Sequence, residues 1–178
     1  MTDQLALMPD GAPTKGATFS LCGAYRYWLW RDVVSFHAHH VPDRIALFVM
    51  LNPSTAGISA DDPTIRRCIS FAAREGCGRL EVVNLFAFRA TDPAEMKTAG
   101  DPVGPENDAT IASAVHRTLA SEGLVIAAWG AHRIADRRAA RVTYIAATPM
   151  LCLGKTAKAG HPRHPLYVRA DAPLVRWP

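Results

Sequence analysis

Two histidines and two prolines lie close together near the end of the chain. Residues 151–168 read LCLGKTAKAGHPRHPLYV, in which an apolar run stops at Gly154 and a basic loop leads to HPRHP at residues 161–165. Proline fixes the backbone angle φ, so the two prolines stiffen this loop. A neutral imidazole or a nearby N–H group can stabilise negative charge that develops on a leaving group. We therefore choose His161 as a catalytic candidate.

The same loop carries cations and one apolar residue. Lys155, Lys158, Arg163 and His164 are suited to contact a nucleic-acid backbone. Leu166 is interpreted either as a wedge that enters a base stack or as a plain core residue. No Asp, Glu or Cys lies close enough in sequence to complete a local metal-binding set with the histidines. We expect neither a metal nor a cofactor.

A second candidate site follows an apolar run. Residues 45–51 are all apolar, and the run breaks at Asn52-Pro53. The Asn52 amide offers both a donor and an acceptor, so it can hold a water or an anion, but it cannot act as a general base. Capping of the local backbone is the alternative, because Asn-Pro is a common turn dipeptide. We assign Pro53, Ser54 and Thr55 to substrate binding, since the two hydroxyl groups add donors for a phosphate.

Two further predicted strands carry candidate residues. Asn84 interrupts the apolar stretch VVNLF, and its amide can pair bidentately with the edge of a nucleobase. A buried Asn needs hydrogen-bond partners, so a structural role that bridges strands stays open. Trp129 and Gly130 end the stretch LVIAAWG, where packing and a tight turn are the simpler interpretation. Both are included among the candidate substrate contacts.

Charged residues surround the predicted start of the first helix, in the stretch DDPTIRR. The carboxylates of Asp61 and Asp62 suit the positive end of the helix dipole. Either carboxylate is also a candidate general base or water-orienting group. Arg66 is a candidate phosphate contact.

Strand-like and helix-like segments alternate along the chain. The strands are expected in RIALFVM, RLEVVNLFAF, LVIAAWG and PMLCLG, and the helices in DDPTIRRCISFAAREG, GPENDATIASAVHRTLASEG and AHRIADRRAARVTYIAA. This order predicts a three-layer α/β/α domain over residues 19–178 with a central, mainly parallel four-stranded sheet. AYRYWLW predicts a short N-terminal β extension, and residues 1–18 a flexible arm. Ligands of such sheets bind beyond the carboxyl ends of the strands, where the candidate residues fall.

The charge distribution favours an anionic partner. Residues 129–178 carry nine Lys and Arg against two Asp, a net of +7, whereas the first 128 residues carry 11 basic and 14 acidic groups, a net of −3. Solvated helix charges are an equally good explanation of this pattern. No apolar stretch is long enough to span a membrane, and the first thirty residues do not have the pattern of a secretory signal. A cytoplasmic location is expected. The spacing of the four cysteines matches no zinc ribbon.

Several of these stretches occur together and in order: MLNPSTAG, DDPTIRRC, VVNLFAFRATDP, DPVGPENDA, AWGAH and GHPRHPLY. Over nearly the whole chain they resemble a bacterial domain family of unknown function. More distantly, the pattern is similar to the uracil-DNA glycosylase superfamily. Asn52-Pro53 resembles its water-positioning motif, Asn84 matches its base-reading Asn, and HPRHPL at residues 161–166 resembles its minor-groove loop.

The chain departs from that superfamily at three points. Arg163-His164 replaces a single serine of the loop motif. The first motif contains no Asp, which implies a slower enzyme or a different base. The aromatic residue that stacks on the base in the superfamily has no clear counterpart, and Phe71 is our choice for it.

The resemblance implies a DNA glycosylase-like, DNA-repair type of N-glycosidic hydrolase that acts on a damaged or modified base. Asn52 would orient a water at C1′, Asn84 would read the flipped base, and His161 would stabilise the departing base. The basic loop would hold the DNA backbone. Two alternatives stay open: a hydrolase of a free modified nucleotide or nucleoside, and a non-catalytic nucleic-acid-binding module. A monomer is expected.

Overall fold

The computed structural model describes residues 6–7, 13–34, 39, 41–54, 61–92, 95–157 and 160–178. Within these ranges the chain forms one sheet of eight strands and three α-helices. The strands are β1 (Ala6–Leu7), β2 (Pro13–Phe19), β3 (Arg26–Asp32), β4 (Val41–Met50), β5 (Cys77–Asn84), β6 (Leu124–Ala127), β7 (Met150–Cys152) and β8 (Val175–Trp177). The helices are α1 (Pro63–Arg74), α2 (Asn107–Ala120) and α3 (Ala135–Ala146), with short 3₁₀ turns at Glu95–Lys97 and Pro165–Tyr167.

The sheet is mixed, in the order β1-β2-β3-β5-β4-β6-β7-β8. The four strands expected from the apolar runs are β4, β5, β6 and β7, and they lie side by side and parallel. β1, β2 and β3 extend one edge and β8 the other, all through antiparallel pairs. The α/β class is therefore confirmed, but the sheet is wider than the expected four strands. The three-residue β8 is created by its pairing with β7, which local sequence does not show.

Residues 13–18, which the sequence analysis places in an N-terminal arm, lie in β2. This strand pairs with β3 from Lys15 to Phe19. β3 carries large buried side chains such as Tyr27, Leu29 and Trp30, and pairing with β2 completes its backbone hydrogen bonds.

Helices cover both faces of the sheet. α1 packs Ile65, Cys68 and Phe71 against one face, while α2 and α3 share an apolar cluster with the other. Asp62 caps α1, because its side chain accepts a hydrogen bond from the Ile65 N–H (2.8 Å) and Pro63 occupies the first turn. The cap fixes Asp62 at the carboxyl-end edge of the parallel strands.

A β-bulge interrupts the alternation of β3. Thr18 pairs with Trp28 and Phe19 pairs with Arg26, so Tyr27 is the extra residue. Tyr27 lies against Gly104, just before α2, and the neighbouring Trp28 ring lies under Arg117 of α2. The consecutive side chains of Tyr27 and Trp28 therefore both lie on the α2 side of the sheet. Because neighbouring side chains alternate before the bulge, the side chain of Arg26 lies on the α1 side.

Candidate functional site

A cleft of about 730 Å³ lies beyond the carboxyl ends of β4, β5, β6 and β7. Its lining includes the ends of β4 and β5 and the loops that follow β6 and β7. Of the residues predicted from sequence, the cleft brings together Asn52, Ser54, Asn84, Trp129, Gly130, Arg163 and His164. Candidate residues that are remote in sequence therefore lie together at the carboxyl ends of the parallel strands, as we expected for a sheet of this type.

The Asn52 amide is oriented by the loop that follows β4 and β5. Its Nδ2 donates to the carbonyl oxygens of Ala90 (2.9 Å) and Pro53 (3.2 Å). Because both neighbours are acceptors, the nitrogen must be the atom that faces them. The Oδ1 acceptor has no hydrogen-bond partner among the described residues and is left to receive a hydrogen bond from a water or a substrate.

Asn84 ends β5 and is 2% exposed, yet it lines the cleft. Its side-chain amide makes no hydrogen bond within the described part of the chain, so a strand-bridging role is not what the structure contains. The Asn84 carbonyl is held instead by the buried Asn107, whose Nδ2 donates to Asn84 (3.0 Å) and Leu85 (3.1 Å). A nearly buried amide with a free donor and a free acceptor is suited to an incoming polar group.

His164 is the histidine of the Pro-rich loop that lines the cleft. The Leu166 N–H donates to its Nδ1 (3.3 Å), so the neutral ring carries its proton on Nε2. Burial lowers the pKa of His164 from its ordinary value, although the nearby Asp62 carboxylate opposes this shift. Gly130, with φ of 77°, makes room for it, because a Cβ there would lie 3.4 Å from that of His164. The cleft thus contains a neutral imidazole with an N–H donor.

His161, the catalytic candidate chosen from sequence, does not line the cleft. Its Nε2 lies 3.6 Å from a carboxylate oxygen of Asp136, near the start of α3. Its carbonyl accepts from Thr156 (2.9 Å) and its N–H donates to the Thr156 hydroxyl (3.1 Å). His161 therefore helps to close the loop, and its neighbour three residues later takes the position facing the cleft.

Asp62 places a carboxylate in the cleft. It lines the cleft and accepts a hydrogen bond from the Ser54 hydroxyl (3.2 Å) while the other oxygen caps α1. A carboxylate has about four lone-pair sites, so it can still accept from a water. The neighbouring Asp61 instead pairs with Arg31 (2.7 Å).

The other sequence candidates occupy different environments. Phe71 is buried in the core beneath α1 and does not line the cleft. Arg66 is exposed and bonds the Asp61 carbonyl. Lys155 and Leu166 are exposed outside the cleft, and Pro53 is buried behind it. Thr55 and Lys158 lie outside the described residues.

Three residues of the site were missed by sequence reasoning. Arg26, 6% exposed, lines the cleft from β3. Tyr167, 79% exposed, stands at its rim with its ring centroid 5.5 Å from that of His164. Asn107 holds the end of β5, although its sequence context indicates only the start of a helix. Tyr167 directly follows HPRHPL, and this position next to the candidate loop could have indicated it as a site residue. The sequence around Arg26 and Asn107 does not indicate that either residue belongs to the site.

The described residues contain no group of three or more His, Cys, Asp or Glu side chains that could hold a metal ion. In the same part of the chain, every helix is too short or too polar to cross a membrane.

A family model described as "Protein of unknown function (DUF1643)" matches residues 26–166. The chain belongs to the DUF1643 family. The matched range begins at Arg26 and contains every cleft residue named above except Tyr167. No curated protein and no solved structure matches the chain.

Proposed function

We propose that this DUF1643 protein is an N-glycosidic hydrolase that recognises a nucleobase and releases a damaged or modified base from DNA. The observation that supports it most is that Asn52, Asn84 and His164 line one cleft at the carboxyl ends of the parallel strands. They come from three remote segments and offer an acceptor, a free amide and a neutral N–H donor. The resemblance of the same segments to the uracil-DNA glycosylase superfamily motivates the choice of reaction.

Each group has a role that its chemistry permits. Asn84 pairs with the edge of an extruded base. Asn52 Oδ1 and the Asp62 carboxylate hold the water, and Asp62 takes its proton as the oxygen attacks C1′. The N-glycosidic bond breaks and its electron pair leaves with the base. The His164 N–H stabilises the negative charge that develops there, until the base is protonated from solvent.

The outer parts of the site suit a polynucleotide. Arg163 is exposed at the cleft and also lines a neighbouring depression with Lys155 and Arg169. These cations lie where a phosphate backbone would pass if one nucleotide entered the cleft. Tyr167 at the rim replaces Phe71 as the aromatic surface for stacking.

The decisive experiment is base release from oligonucleotides that carry a panel of modified bases. We expect His164→Ala to lower the rate of release by about 10²–10³-fold with little effect on oligonucleotide binding, because its donor acts mainly in the transition state. His116→Ala, on an exposed face of α2, is the matched control and should keep wild-type activity. Loss in His161→Ala with full activity in His164→Ala would return the role to His161. Salt-sensitive binding without any release would contradict the hydrolase.

A free modified nucleotide or nucleoside is the second candidate substrate. The cleft volume of about 730 Å³ falls within the usual range for small-molecule sites. Release from free nucleotides with none from oligonucleotides would identify this substrate class.

A further inference from the structure

Arg26 is a buried cation that has no side-chain partner among the residues that the structure describes. It is 6% exposed and its Nε makes no hydrogen bond to any of them, yet the side chain lines the cleft. No carboxylate among the described residues lies within ion-pair distance of its guanidinium. An unpaired buried charge is costly and is normally compensated by a partner. An anion bound in the cleft would supply that compensation.

Three charged groups of the described residues act on Arg26. Arg31 and Arg89 act on it electrostatically, as does Asp62 with the opposite sign. Arg31 is already paired with Asp61, and Arg89 donates to a backbone carbonyl. Of these three groups only Asp62 is negative, and it makes no ion pair with Arg26. Burial is the main cause that lowers the pKa of Arg26 to about 10, so the group is still charged at neutral pH.

We propose that Arg26 binds a phosphate group of the substrate inside the cleft. The planar guanidinium fork matches two phosphate oxygens, and such pairs are strong when water is excluded. The phosphate site is inferred from the position and burial of Arg26. Only the identity of the molecule that carries the phosphate rests on the proposed function. That phosphate is either the terminal monoester of a free nucleotide or the diester that flanks an extruded base.

Inorganic phosphate is the first probe, titrated at constant ionic strength against chloride while the melting temperature is followed. We expect phosphate to raise the melting temperature of the wild type above the chloride baseline. Arg26→Met should weaken phosphate binding at least about tenfold, and Arg26→Lys should fall between, because it keeps the charge but not the fork. Arg176→Met removes an exposed arginine outside the cleft and should bind phosphate like the wild type.

A second measurement needs no stable substitution at position 26. In the wild type, the Nε–H resonance of Arg26 should shift as phosphate is added. The site is overturned if neither the melting temperature nor this resonance responds, or if Arg26→Met binds phosphate as the wild type does.

Two base-free probes distinguish the sources of phosphate. Stronger binding of deoxyribose 5-phosphate than of dimethyl phosphate supports a free nucleotide, and equal binding supports a flanking diester; failure of both overturns the proposal. Phosphate binding without base release from any substrate would leave the Arg26 site intact and remove the hydrolase. Base release with no phosphate response would support the hydrolase and overturn the Arg26 site.

Discussion

His164 combines burial with a backbone hydrogen bond that determines its tautomer. Its pKa lies below the ordinary value, so the ring is neutral near pH 7 and offers Nε2–H rather than a full positive charge. A neutral donor stabilises developing negative charge without forming a tight ion pair with the ground state. The Asp62 carboxylate nearby is the one group that favours protonation.

The lowered pKa of His164 makes a prediction about stability. Below the ordinary histidine value of 6.5 the unfolded state takes up a proton more readily than the folded state, so the free energy of unfolding falls as the pH drops through that value. Above it both states are neutral and the contribution is constant. Between about pH 7.5 and pH 5, we expect His164→Gln to lose less stability than the wild type.

Urea denaturation at several pH values measures this difference. His116→Gln is the control, because its ring is exposed on α2, and it should follow the wild type. A pH dependence that is the same in His164→Gln and the wild type would show that the buried imidazole does not differ from its unfolded form.

Residue types indicated part of the cleft lining, and the conformation of the loop at residues 160–168 determines the rest. Asn52 and Asn84 were accessible to sequence reasoning because each is a polar residue at the end of an apolar strand. The sequence did not show which histidine lines the cleft, because His161 and His164 lie in the same loop and only the turn between them directs His164 toward the cleft. The structure resolves this through the hydrogen bonds of His161 with Thr156 and the 3₁₀ turn that His164 caps.

At the scale of elements, Asp62 serves two purposes in one side chain. One oxygen caps α1 and the other accepts the Ser54 hydroxyl beside the cleft. The packing of α1 against the sheet therefore fixes the position of the proposed base. The two purposes can be separated because asparagine is also a good N-cap but is not a base.

We expect Asp62→Asn to keep the free energy of unfolding within about 0.5 kcal/mol and Asp62→Ala to lower it by about 1 kcal/mol. Both should lose base release by about 10²–10⁴-fold, because neither can take the proton of the attacking water. Denaturation and single-turnover release measure the two effects on the same samples. Full activity in Asp62→Asn would assign Asp62 to capping alone.

At the scale of the whole molecule, the edge strand β8 contacts a residue that lines the cleft. β8 pairs with β7, and its Trp177 meets Trp129 edge to face with ring centroids 5.4 Å apart. Trp129 is buried in the core and also lines the cleft. The last strand of the chain therefore supports one wall of the site from behind.

Trp177→Ala should lower the free energy of unfolding by about 2 kcal/mol, through loss of apolar burial and of the ring contact. Val175→Ala, on the same strand and more exposed, should change it by less than about 0.5 kcal/mol. Chemical denaturation of both variants checks this. Equal losses would mean that strand pairing, and not the tryptophan contact, supports the edge.

The parallel centre of the fold was predictable because long apolar runs alternate with amphipathic helices. The flanking strands were less so. β2 contains Lys15, Gly16 and Thr18 among apolar residues, which is not a strong strand pattern, and its pairing with β3 comes from tertiary structure. Arg26 was hidden for the same reason, since the direction of its side chain depends on the bulge at Tyr27.

That single extra residue makes the register between β2 and β3 a determinant of the chemistry in the cleft. One residue inserted between Thr18 and Phe19, opposite Tyr27, would give Tyr27 a partner, restore strict alternation and move the position 26 guanidinium to the α2 side of the sheet. The strand-end amides would keep their places, but the cleft would lose the buried guanidinium of Arg26. Such an insertion variant is therefore expected to lose the proposed phosphate site without a change in any residue that lines the cleft.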